Sequence, residues 1–178
     1  MKRIEKLRLE ALGNPHNNDE FFYKFYTRYT ENKSEVENEK YADAFYFAFS
    51  ELTPNISSDE LIVGKIKNNL TAQQRKDWEE TYMQIARDRC FKAGGGQDSH
   101  MAIDYDLLLS RGINGIISQI EDYQKTCTEK QYEFYATART CLLAIIKHSE
   151  NYAVLAELLA KEEKNEERAG NKYMAILQ

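Results

Sequence analysis

The residues best suited to chemistry cluster around His100. This histidine follows the run Gly94-Gly95-Gly96 and precedes Asp104 and Asp106. An imidazole can exchange a proton near neutral pH, and functional side chains concentrate in loops of this kind. A histidine with two aspartates could also bind a metal, but the spacing matches no standard site, and Asp104 is explained equally well as a helix N-cap. His100 is therefore a candidate functional residue, and we predict no metal site.

The glycine run before His100 could approach a phosphate group. A P-loop, however, requires a strand before the glycines and Gly-Lys-Ser/Thr after them, and a dinucleotide-binding loop requires GxGxxG after a strand. Here a helical pattern precedes Gly94, and neither motif is present. We interpret the run as a flexible hinge or a close-packed turn.

The cysteines indicate neither a disulfide framework nor a zinc cage. Cys90, Cys127 and Cys141 are odd in number and none has CxxC spacing, so a reducing cytoplasm is the expected location. None lies next to a histidine in the sequence, although folding could bring His100 near Cys90. The chain therefore shows no nucleophilic cysteine by local spacing alone.

Composition indicates one globular domain over residues 1–178. Charged residues make up 30% and apolar residues 42% of the chain, which is enough to form a core. A formal net charge of −5, with no cluster of Lys and Arg, argues against a nucleic-acid partner. No apolar run approaches the roughly 20 residues that cross a bilayer, and none follows the basic start, so we expect neither a membrane span nor a signal peptide.

Apolar periodicity predicts a mostly α fold with at most one or two very short strands. Two capping boxes, Thr71 to Gln74 and Thr128 to Gln131, indicate helix starts. An aromatic face from Phe22 to Tyr29 and an apolar stripe from Tyr41 to Leu52 are predicted to be core. The only β-type run is Leu61 to Val63. Helices are predicted at residues 2–12, 20–30, about 41–52, 71–90, 104–110, 116–125, 128–163 and 166–177.

The longest helical pattern follows the second capping box. Its predicted buried stripe includes Ile145, Tyr152 and Ala156. His148 lies within the same helix, where a histidine most often packs or faces solvent. We therefore predict a structural or surface role for His148.

Three stretches resemble motifs of the pyruvate formate-lyase-like glycyl radical enzymes. Residues 59–64, Asp-Glu-Leu-Ile-Val-Gly, resemble the family's "D-x-E-L-I-V-G". Residues 99–117, which include His100, resemble "G-H-x-x-x-D-Y-x-x-x-L-x-x-G-x-x-G-I-I". The stretch from Asn151 to Arg168 is similar to the helix that follows in the family. The three occur in the family's order, so the likeness spans most of the chain.

The sequence also departs from the family pattern. Ser99 stands where the family usually has Gly, and Asn151 stands where it often has Arg. The stretch between Gly64 and His100 is shorter than in typical members. These differences concern the subfamily more than the family.

The resemblance implies the multi-helix N-terminal portion of an α/β-barrel enzyme of anaerobic metabolism. In that family a backbone glycyl radical near the C-terminus generates a thiyl radical on a mid-chain cysteine, which abstracts hydrogen from the substrate. Neither element occurs in this chain, so we expect no complete catalytic site and no cofactor bound by this segment. The parent enzyme would need its glycyl radical to be installed by an S-adenosylmethionine-dependent activating enzyme.

The resemblance also assigns a role to His100. In glycerol- and diol-dehydratase-like members, the histidine of the "G-H" motif lies at the substrate pocket. The implied function is a radical lyase or dehydratase acting on a small polar substrate in the cytoplasm. Its implied partner is the remainder of the barrel, with a homo-oligomer as a further option. The alternative is a stand-alone helical interaction or scaffold protein without catalysis, which binds a partner through its Tyr-rich faces.

Overall fold

Six helices make up the part of the chain that the structure describes. The structure is a computed structural model, and it describes residues 2–13, 19–57, 63–64, 68–89 and 103–163. The helices are α1 (Arg3–Leu12), α2 (Asp19–Glu31), α3 (Glu37–Glu51), α4 (Ala72–Asp77, then a π-helical segment Trp78–Tyr82, then Met83–Arg89), α5 (Tyr105–Gln124) and α6 (Glu129–Glu162).

The prediction of a mostly α fold is confirmed. No strand occurs among the described residues, and Val63, the last residue of the predicted strand, has no regular structure. Leu61, Ile62 and the predicted helix at residues 166–177 lie outside the described ranges. None of the described helices is both long enough and apolar enough to span a membrane.

Both predicted capping boxes are present, and each starts a helix. The Thr71 hydroxyl accepts a hydrogen bond from the Gln74 backbone N–H at 3.2 Å, and Gln74 Oε1 accepts from the Thr71 N–H at 3.0 Å. Thr128 and Gln131 make the same reciprocal pair at 3.4 and 2.9 Å. Because each box satisfies backbone groups that have no partner inside the helix, α4 and α6 begin where the sequence predicts.

An aromatic core joins α2, α3 and α4. Phe25, Tyr26 and Tyr29 of α2 are buried, which confirms the predicted core face. The indole ring of Trp78 stacks on Phe22 and Tyr26, with centroid distances of 6.2 and 6.3 Å. The π-helical segment of α4 therefore places its first side chain in the centre of this core.

α3 packs against both α2 and α6. Small residues allow this contact, because Ala44 and Ala48 of α3 and Ala144 of α6 are completely buried. The predictions that Tyr41 and Ile145 belong to buried stripes are wrong, since both are exposed. Alanines let helix axes approach closely, and the larger neighbours then lie at the edges of the contact.

Two side chains of α6 lie against the last carbonyl groups of α3. Asn151 Nδ2 donates to the Ser50 carbonyl oxygen at 2.8 Å, and His148 Nδ1 lies 3.3 Å from the Phe49 carbonyl oxygen. A carbonyl only accepts, so Nδ1 carries the proton in this contact. The His148 ring also packs edge-on against the rings of Phe49 and Tyr152, at 5.3 and 5.0 Å. The predicted structural role of His148 is confirmed.

The buried carboxylate of Glu20 joins three segments of the chain. Glu20 is only 2% exposed. Its Oε2 accepts from the Asn69 backbone N–H at 2.9 Å, and its Oε1 lies 3.4 Å from the Thr53 nitrogen and 3.3 Å from Thr53 Oγ1. The Lys24 ammonium, one turn along α2, lies 3.5 Å from Oε1. The carboxylate thus ties α2 to the chain just after α3 and to the chain just before α4.

We expect Glu20→Ala to lower the free energy of unfolding by about 2–4 kcal/mol, because it leaves two buried amides and a nearby ammonium without their acceptor. Glu20→Gln should cost less, since one oxygen remains while the new NH2 faces a donor. Urea unfolding followed by circular dichroism measures both changes. Glu79→Ala, on the exposed side of α4, is the matched control and should stay within about 0.5 kcal/mol of the parent. Equal stability of Glu20→Ala and Glu79→Ala would contradict this role.

Burial lowers the pKa of His148, and the hydrogen bond to the Phe49 carbonyl opposes that shift only in part. The unfolded chain therefore binds more protons than the folded chain as the pH falls below the ordinary histidine pKa of about 6.5. We expect the neutral ring's contribution to stability to be present above that pH and to be lost as the pH falls through the folded-state pKa. Unfolding measured from pH 7.5 to 5 should show a steeper loss for the parent than for His148→Gln. Parallel pH curves for the two proteins would refute this.

Candidate functional site

His100 lies outside the described residues, together with Cys90 and the glycine run at residues 94–96. The structure describes the chain again from Ile103 onward. The local geometry that bears on the site is therefore that of α5, which carries the motif residues that follow His100.

Asp104 is the N-cap of α5. Its Oδ1 accepts a hydrogen bond from the Leu107 backbone N–H at 2.9 Å. This favours the capping interpretation of Asp104 over a metal-binding one, because one carboxylate oxygen is already used in the helix start. Asp106 lies exposed in the first turn. Among the residues that the structure describes, no group of three or more His, Cys, Asp and Glu side chains could hold a metal ion.

Two glycines of the motif shape α5 for different reasons. Gly112 has φ 64° and ψ 175°, a conformation that is essentially restricted to glycine, and it kinks the helix. Gly115 is helical, but a Cβ placed there would lie 2.9 Å from the Cβ of Arg111. One glycine therefore permits the backbone turn, and the other permits the close approach that the turn creates.

The predicted break at Gly112 is confirmed, but the predicted start of the next helix at Ile116 is wrong. The helix resumes directly after Gly112, and α5 runs as one kinked element from Tyr105 to Gln124. A single residue absorbs the change of direction, so no loop is needed between the two parts.

The part of α5 before the kink is largely uncovered. Ile103, Tyr105 and Leu109 are exposed, Leu109 to 81%. Beyond the kink, Ile117 and Ile120 are buried where α5 packs on α6. The motif therefore joins a packed half and an uncovered half of one helix, and His100 precedes the uncovered half in the sequence.

The two described cysteines do not form a reactive centre. Cys127 Sγ lies 3.5 Å from the carbonyl oxygen of Gln124 at the end of α5. Burial raises the pKa of Cys141, which keeps its thiol protonated and weakens it as a nucleophile. Neither is a partner in a described histidine contact, which agrees with the expectation that this chain holds no complete catalytic site.

A cleft of about 310 Å³ between α3 and α6 was not predicted from the sequence. Its wall carries the carboxylates Glu39, Asp43 and Glu133 and the rings of Tyr46 and Tyr132. Asp43 is already bound by Arg28, whose Nε and Nη2 donate to it at 2.7 and 3.1 Å. The other residues of the wall are Val36, Asn38, Ala42, Ala136, Thr137 and Thr140. The i, i+4 spacing within each helix is visible in the sequence, but the pairing of the two helices is not.

We expect Gly112→Ala to lower the free energy of unfolding by about 1–3 kcal/mol, because a side chain is strained at this φ and ψ. Chemical denaturation measures the loss. Ser118→Ala, at an exposed position beyond the kink, is the control and should remain within about 0.5 kcal/mol of the parent. A Gly112→Ala protein as stable as the control would mean that the kink is not required.

Comparison with known proteins connects this geometry to a family. Residues 67–175 match the family described as "Pyruvate formate lyase-like", and this range contains the His100 motif. The fold is similar to the crystal structure of a glycyl radical enzyme from Archaeoglobus fulgidus, with a TM-score of 0.73 and 19% identity. A comparison with curated protein sequences found no match.

The alignment with the Archaeoglobus fulgidus structure covers 99% of this chain and 30% of that chain, so this chain spans less than a third of the other's length. It resembles the N-terminal part of a glycyl radical enzyme. The resemblance noted in the sequence motifs is therefore confirmed at the level of the family and the fold. The chain belongs to the pyruvate formate lyase-like family.

Proposed function

We propose that this chain forms the N-terminal part of a glycyl radical lyase of the dehydratase-like branch, acting on a small polar substrate, with His100 at the substrate pocket. The observation that carries the proposal is the family match over residues 67–175, within which the motif from Ser99 to Ile117 falls. The dehydratase-like assignment and the role of His100 come from the motif resemblance.

The described geometry supports this role for His100 in two ways. The Asp104 cap fixes the start of α5 four residues after His100, so the backbone that leads away from the histidine is held in place. The apolar side chains that follow, Ile103, Tyr105 and Leu109, are exposed on this part of the chain. A surface of this kind suits contact with the further two thirds of the fold that the similar glycyl radical enzyme possesses.

The chemistry asked of His100 is ordinary acid–base chemistry. A pocket imidazole can hydrogen-bond a substrate hydroxyl and donate the proton with which that hydroxyl leaves as water. The radical would come from a glycyl radical installed by an S-adenosylmethionine-dependent activating enzyme, and the remainder of the barrel would supply the radical-bearing residues. Within this chain, the residues proposed to act are His100, which meets the substrate, and Asp104, which positions the adjoining helix.

The test is made on the polypeptide that unites this segment with the rest of the fold, activated anaerobically and assayed with small vicinal diols. We expect His100→Ala to reduce kcat by about 10²- to 10⁴-fold, the usual effect of removing a general acid or base. His100→Gln, which keeps a hydrogen-bond donor, should retain part of the binding but not the proton transfer. The glycyl radical signal in electron paramagnetic resonance should be the same in all variants.

His16→Ala is the matched control, because this histidine lies outside the motif, and its turnover should equal that of the parent. An unchanged rate for His100→Ala, at equal radical content, would remove His100 from the pocket. An activated parent that turns over no diol would argue against the dehydratase-like branch while leaving the family assignment intact.

A further inference from the structure

α1 lacks the packing that a short helix needs. It has 10 residues, and isolated helices shorter than about 12–15 residues are marginal in water. Among its described side chains only Leu7 is half-buried, while Ile4 is 79% and Leu12 is 70% exposed. Something outside the described chain must cover this helix if it is to persist in solution.

The exposed side of α1 is apolar with a positive charge at its centre. Ile4, Leu7, Arg8 and Leu12 follow the i, i+3, i+4, i+8 spacing of one helix face. Residues 2–12 contain four basic and two acidic side chains, although the whole chain has a net charge of −5. An occupant for this face should therefore combine apolar and acidic groups.

The cleft between α3 and α6 has those properties. No Lys or Arg side chain lines it, and Glu39 and Glu133 stand on opposite walls in addition to the Arg28-bound Asp43. Tyr46 and Tyr132 expose part of their rings there. Its floor includes Ala42, which is buried.

The two helices that form the cleft run in the same direction. Residues 36–46 of α3 face residues 132–140 of α6 at one end, and Phe49 and Ser50 meet His148 and Asn151 at the other. A groove between two aligned helices accepts a third helix along its length, as in helical bundles. Small residues in the floor let that third helix approach closely.

We propose that the α3–α6 cleft receives α1 of a second copy of this chain, with Arg8 between Glu39 and Glu133 and with Ile4 and Leu12 against the two tyrosines. Because the exposed α1 leaves its own cleft open, each copy offers one helix and one groove. Reciprocal exchange closes a two-fold dimer and leaves no further α1 or groove for chain growth. This inference is independent of the catalytic proposal.

The test is the oligomeric state of this chain in light scattering and sedimentation. We expect a dimer of twice the 20.8 kDa chain mass. Arg8→Glu and Glu133→Lys should each raise the dimer dissociation constant about tenfold, because each places like charges together in the groove. The double variant Arg8→Glu/Glu133→Lys restores an opposite-charge pair and should recover most of the lost affinity.

Two controls make the same charge changes away from the proposed contact. Lys6→Glu lies on the opposite face of α1, and Glu157→Lys lies on an exposed part of α6 beyond the cleft. Both should leave the dissociation constant within about twofold of the parent, and circular dichroism confirms that every variant is folded. A monomer at every attainable concentration overturns the proposal. So does a dimer that neither single change weakens, or a double variant no tighter than the singles.

Discussion

The buried carboxylate of Glu20 is the constraint on which the arrangement of the first four helices depends. A charged group that is 2% exposed requires nearby donors, and it finds them at Thr53 and Asn69, far along the chain. Those two residues belong to segments without regular structure, so their positions are set by this contact rather than by a helix. The result is that α3 ends and α4 begins beside the first turn of α2, where the aromatic core can close around Trp78.

The same principle of polar groups that satisfy chain ends recurs across the structure. Asn151 and His148 lie against the terminal carbonyls of α3, and Asp104 binds an amide at the start of α5. The Asn151 contact also gives a physical meaning to a departure from the family pattern, in which arginine is common at that position. A short amide reaches the Ser50 carbonyl directly, so the substitution is compatible with tight packing of α6 on α3.

Membership of the pyruvate formate lyase-like family explains why this fold combines a packed bundle with uncovered apolar helices. The similar enzyme is more than three times as long, and surfaces that this chain exposes are of the kind that larger folds bury. The motif around His100 joins these two regions, because Gly112 turns α5 from its uncovered half into its packed half. Chemistry placed at such a junction is held by the bundle on one side and faces further structure on the other.

The sequence by itself determined the helical class, both capping boxes, the Asp104 cap, the break at Gly112 and the aromatic face of α2. Each of these depends on residues within about one or two helical turns of one another, so local spacing is sufficient. It failed for Tyr41 and Ile145, because which side of α3 and α6 is covered depends on how the two helices pair. The burial of Glu20, the contact between His148 and Phe49 across 99 residues, and the cleft between α3 and α6 were decided only by tertiary structure. They join distant segments whose meeting depends on the packing of the whole bundle, and no short-range pattern encodes it.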